Sequence, residues 1–145
     1  MTQEQALEKA REIVAAGGSF MLGTVDAQNR PRMRWMGAIA CDPDNELIRY
    51  MECGAQSRKM AELAANPAAQ LVFNSADFSC VVTVDGVAGA VEDMDTKRMV
   101  YEAVPASADY FPSPESEMFG VIRFQATVIE VLCMSEGHEP VRVEL

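Results

Sequence analysis

The sequence contains one histidine, one tryptophan and no cysteines paired as CxxC. His138 stands among polar residues beside Gly137 and Pro140. A single imidazole without partners makes neither a metal site nor a Ser/His/Asp or Cys/His set. Cys41, Cys53, Cys80 and Cys133 are widely scattered. Zinc and thioredoxin-like chemistry need close pairs, so four reduced structural thiols are expected. No apolar run reaches the roughly 18 residues of a membrane span. Met1-Thr2-Gln3-Glu4 lacks the positive charge and apolar stretch of a secretory signal, so a cytoplasmic location is expected. There is no GxGxxG or GxxxxGK[ST] loop, and Gly86-Val87-Ala88-Gly89 is too short for a phosphate cradle. Positive charge is scarce as well: 12 lysines and arginines face 22 acidic residues, for a net charge of −10. Such a field repels a polyanionic backbone and argues against nucleic acid as a partner.

The scarce positive charge is concentrated. Residues 30–59 carry six basic and four acidic side chains, in Arg30-Pro31-Arg32-Met33-Arg34-Trp35-Met36 and Ser57-Arg58-Lys59 among others. The remaining residues carry six basic against eighteen acidic. A local excess on an acidic chain points to a small anionic ligand, and a phosphate ester suits it. The ten methionines read as adaptable core or interface filler.

At 145 residues the chain is long enough for one domain with a core and too short for two ordinary ones. Ala6, Leu7, Ala10, Ile13 and Val14 are spaced for an amphipathic helix over 3–16, ended by Gly17-Gly18. Ser19 to Val25 reads as a strand, Asp26-Ala27-Gln28-Asn29 as a turn, and Pro31 to Ala40 as a second strand. A third strand carries Leu47, Ile48, Tyr50 and Met51 after the turn at 42–45. Ser57 is placed to cap a short helix that Asn66-Pro67 stops. Strands follow over 70–74 and 79–91, with Gly86 and Gly89 marking a bulge or bend. A helix opens at Glu92-Asp93-Met94-Asp95 and breaks at Pro105, 105–116 is a loop, and Met118 to Cys133 is a long final strand. Consecutive strands with short turns imply antiparallel pairing, hence an α+β fold. Two long strands, one bent by glycine, suit a small closed or split barrel. The domain is expected over 1–134, with 135–145 a polar tail.

The pattern x-Arg-Pro-x-x-Arg-x-Met at 29–36, a hairpin, then Ser57-Arg58-Lys59 opening a helix that ends in Asn-Pro resembles the pyridoxamine 5′-phosphate oxidase-like family of FMN-binding split β-barrels. Ala69 to Phe73, Val82 to Ala88 and the Phe119 to Leu132 strand also match, so the resemblance covers about residues 8–134. Within that family the chain resembles the general-stress-protein subgroup. The resemblance implies an antiparallel split barrel, bound FMN and a homodimer with two flavin sites at its interface. It assigns the FMN phosphate to Arg34, Ser57, Arg58 and Lys59, and the isoalloxazine ring to Trp35, Met36, Tyr50 and Met51. Residue chemistry agrees in part: an arginine forks onto two phosphate oxygens, a lysine is a point charge, and a helix start favours an anion. Period-two spacing puts Arg30, Arg32 and Arg34 on one strand face, with Met33 and Trp35 on the other. Where the true oxidases have a substrate lysine this chain has Ile39, and where they have a flavin-binding glutamine it has Val81. Vitamin B6 oxidation is therefore disfavoured. An FMN-dependent oxidoreductase, linked to NAD(P)H or another small donor or acceptor, is expected. The alternative is a non-catalytic module that stores or senses a flavin, or binds a deazaflavin or haem.

Overall fold

The computed structural model describes residues 1–145. Helix α1 (Gln3–Ala15) begins in a capping box: Thr2 accepts from the Gln5 N–H, and the Gln5 side chain accepts from the Thr2 N–H. Gly17 and Gly18 follow at φ +75° and +96°, a backbone that side chains resist, so the helix ends where the sequence says. Strands β1 (Phe20–Val25) and β2 (Pro31–Met36) form a hairpin. The Asp26 carboxylate holds its turn, accepting 2.9 Å hydrogen bonds from the Gln28 and Arg30 backbone N–H groups.

The strand expected from Pro31 to Ala40 is two strands. β2 stops at Met36, and β3 (Ile39–Cys41) starts beyond Gly37-Ala38. The break is set by pairing. β2 lies against β1, whereas β3 lies against β4 (Ile48–Gly54), and the sheet order β2-β1-β5-β6-β7-β4-β3 places them at opposite edges. Helix α2 (Arg58–Ala65) connects β4 to β5 (Ala68–Asn74), and β6 (Cys80–Ala90) returns beside β5. Helix α3 (Met94–Ala103) is capped by Asp93, and a short helix α4 (Ser107–Tyr110) sits inside the segment read as loop. β7 (Phe119–Cys133) runs between β6 and β4, so every pairing is antiparallel and the sheet curls as a split barrel.

The expected bulge falls at Asp85/Gly86. Gly86 is required there, because a Cβ would drive into the Phe124 ring and the Gln125 carbonyl. The inner face packs Phe20, Leu22, Leu71, Phe73, Val82, Phe124 and Val131 against Ala6, Ala10 and Ile13 of α1. A smaller cluster on the other side of β4 joins Tyr50, Phe119 and Val121 to Val100 of α3 and Val104 just after it.

Two expectations are corrected. Residues 135–145, expected as a polar tail, include a strand: β8 (Val141–Glu144) pairs with β7, buries Val143 and places the Arg142 carbonyl on the Gln3 side chain. The polar sequence hid this because β8 presents only one face to the core. Nor are all four thiols free. Cys80 and Cys133 lie opposite each other on β6 and β7 and form a disulfide, leaving Cys41 exposed and Cys53 buried as thiols. Their 53-residue separation concealed a cross-strand neighbour pair.

Candidate functional site

The basic residues of β2 do not form one display. Arg30 and Arg32 both turn to Asp26, at 3.1 and 2.9 Å. Asp26 is held at a pKa of about 2, chiefly by the Arg30 backbone N–H and further by the Arg32 and Arg30 side chains. Arg34 lies two residues further on the same face, opposite Leu22, and reaches under α2. Its Nη1 donates to the Thr24 hydroxyl at 2.7 Å and to the Leu22 and Arg32 carbonyls at 3.1 Å. Its Nη2 donates to Glu62 Oε1 at 3.0 Å. Burial lowers the Arg34 pKa, opposed by the Glu62 charge and reinforced by Arg58.

Glu62 is the residue the sequence reading missed. It is 7% exposed, accepts from Arg34 and Thr24, and lies 3.6 Å from the Arg58 Nε. Its Oε2 is buried without a partner. The available signal was its place next to Leu63 on the buried stripe of α2 and one helical turn after Arg58.

The α2 N-terminus completes the site. Ser57 has the extended backbone of an N-cap, yet its hydroxyl makes no cap hydrogen bond, contrary to the cap read from sequence. Its Oγ is buried and unpartnered, so a polar atom is held ready beside the unpaired N–H groups of the first turn. The Arg58 side chain is 68% exposed, and Lys59 is half-buried. Beneath them lies Cys53, whose thiol pKa is raised by burial, with Ser57 and Lys59 opposing. Arg34 and Arg58 thus meet at the Glu62 carboxylate, and Lys59 adds a third positive charge at the start of α2. A phosphate monoester matches that balance and brings acceptors for the first-turn N–H groups and the Ser57 hydroxyl.

The residues assigned to a flavin ring are less uniform. Trp35 is 63% exposed on the outer face of edge strand β2, beside Met33 and opposite Met21. Met36 and Met51 are buried in the main core, so their side chains are committed to packing. Tyr50 is displaced from the expected role: its ring is buried in the smaller cluster, and its hydroxyl donates to Asp42 at 2.7 Å. Adjacent β-residues point to opposite faces, which separates Tyr50 from Met51.

The fold recurs in many solved structures, the following three among them. A protein related to general stress protein 26 of B. subtilis, from Clostridium acetobutylicum, superposes with a TM-score of 0.83 at 16% identity, covering 99% of this chain and 97% of that one. A pyridoxamine 5′-phosphate oxidase-related, FMN binding protein from Nostoc punctiforme gives 0.71 at 16% identity, over 96% and 85%. A heme binding protein from Mycobacterium smegmatis gives 0.74 at 19% identity, over 99% of this chain and 60% of that one. Among curated proteins, none matches the sequence. The family model described as pyridoxamine 5′-phosphate oxidase matches residues 6–133, from α1 to the end of β7. With that match over most of the chain and the antiparallel split barrel in place, the chain belongs to the pyridoxamine 5′-phosphate oxidase family.

Proposed function

We propose that this protein is an FMN-binding flavoprotein with oxidoreductase activity, acting as a homodimer. The observation that carries the reading is the α2 N-terminus, where a buried, unpartnered Ser57 hydroxyl stands beside Arg58 and Lys59 on an otherwise acidic chain. Those groups fit the FMN phosphate. Arg34 keeps its Nε–H and one Nη2–H free of protein acceptors and adds to the clamp from β2. The ring would follow the β2 backbone at Trp35 and Met36 and that of β4 at Met51. When bound, FMN supplies hydride acceptance and release, so the chain needs no acid or base of its own. Its residues would bind the phosphate, orient the ring and exclude water. Ile39 has no charge to hold a phosphorylated B6 vitamer, which supports a different substrate. The apolar outer face at Met33 and Trp35, on a free sheet edge, supports pairing with a second copy.

The fold likeness to a heme binding protein favours haem as the second reading. The only histidine, His138, is an exposed loop residue, which leaves no imidazole within the barrel for iron. An absorbance spectrum of purified protein, with mass spectrometry of the released ligand, distinguishes the two. Flavin bands near 450 nm and FMN in the released fraction are expected, as is bleaching by NADH or NADPH (flavin bands being a general property of the cofactor). A Soret band and no flavin uptake would replace FMN with haem. Sedimentation should give a dimer, and a stable monomer that binds FMN would remove the shared-interface model.

A further inference from the structure

We infer that the space between α1 and the barrel is a second binding site, for a small aryl or short alkyl carboxylate. A cavity of about 140 Å³ lies there, away from the phosphate cluster at α2. Its walls are Leu71, Val84, Phe124 and Ala126 from three adjacent strands, and its roof is Ala10 and Val14 of α1. The inner, apolar part of this space offers water few hydrogen-bond partners, and its size suits a benzene-sized molecule. The empty walls also lack dispersion contacts that an apolar guest would restore.

The passage out of the cavity fixes the polar end of the guest. Arg11, Val14, Glu46 and Arg49 line both the cavity and a wider cleft of about 520 Å³ that opens beyond it. Arg11 and Glu46 neutralise each other through two hydrogen bonds of 2.9 and 3.2 Å. Arg49 makes no ion pair of its own; it donates to the Cys41 sulfur and the Ile48 carbonyl and feels Glu46 only at longer range. The passage thus sets two guanidinium groups against one carboxylate at the mouth of an apolar chamber. A ring or short chain in the cavity, with its carboxylate on Arg49, satisfies both halves.

Methyl NMR titration of the full chain with 3-phenylpropionate and with neutral 3-phenylpropan-1-ol tests the site. Binding should shift the Leu71, Val82, Val84 and Ala126 methyls, with the acid about tenfold tighter than the alcohol. Arg49→Gln should weaken the acid about tenfold and leave the alcohol unchanged. Ala126→Leu should abolish binding of both while leaving the FMN titration as in wild type. If Ala126→Leu does not fold, the wild-type and Arg49→Gln titrations decide alone. Absence of core methyl shifts at millimolar acid, or an unchanged acid affinity in Arg49→Gln, would overturn the inference.

Discussion

At Arg34 the guanidinium answers to the protein as well as to any ligand. Its side chain is 18% exposed, and it compensates Glu62, whose side chain is 6% exposed. Arg34→Ala therefore leaves the buried Glu62 carboxylate with only the Thr24 hydroxyl and the more distant Arg58, at a cost of about 3 kcal/mol in denaturant unfolding. Arg58→Ala, at an exposed position, should leave the unfolding midpoint in place and weaken FMN about tenfold in a fluorescence titration. The double variant Arg34→Met/Glu62→Leu should regain stability yet not the ligand. An unchanged midpoint in Arg34→Ala would show that the pair has no structural role. Glu52 gives a second test, through pH. Its pKa is raised by burial, with a weaker opposing contribution from Ser107, and its Oε2 has no partner. A raised carboxyl pKa favours folding below the unfolded value, near 4.3, and that advantage is lost as pH climbs through the folded value. Glu52→Gln should accordingly raise Tm by a few degrees at pH 7, with the gain fading in acid below about pH 4. A gain independent of pH would mean that the charge is not what costs.

The elements show where local sequence suffices. Gly17-Gly18, Asn66-Pro67 and Gly86 each act through their own backbone, so α1, α2 and the β6 bulge were legible from residue identity. Ser57 before Arg58-Lys59 was legible as the start of α2 for the same reason, since the extended backbone of the N-cap position is set locally. The break at Gly37-Ala38 was not. Both flanks are good strand sequence, and only their partners, β1 and β4, pull them to opposite edges. Burial of Glu62 and Tyr50, the Cys80–Cys133 bridge and β8 depend likewise on neighbours far along the chain. The bulge itself is open to a direct test. Gly86→Ala pushes a methyl into Phe124 and the Gln125 carbonyl, and should cost about 1–3 kcal/mol in thermal or denaturant unfolding. Gly89→Ala is the control: it has open space around it and should unfold close to wild type.

On the scale of the whole molecule, the disulfide closes a loop spanning 53 residues between two already adjacent strands. Loop-closure entropy gives it about 2–4 kcal/mol, so reductant or the Cys80→Ser/Cys133→Ser variant should lower Tm by roughly 10 °C. Identical melting with and without reductant would rule out a bridge that matters in solution. β7 carries a different kind of consequence, one of timing. It is the last long strand made, and it is the one inserted between β6 and β4. Until it emerges from the ribosome, residues 20–90 can assemble the β2-β1-β5-β6 half, while the β3–β4 hairpin has no place to dock. Both facing edges stay unpaired through that interval, and unpaired edges recruit other chains. Premature termination before Phe119, or slow translation of that stretch, would therefore yield sticky half-sheets rather than a smaller working barrel. Full-length synthesis is thus coupled to solubility through a single strand.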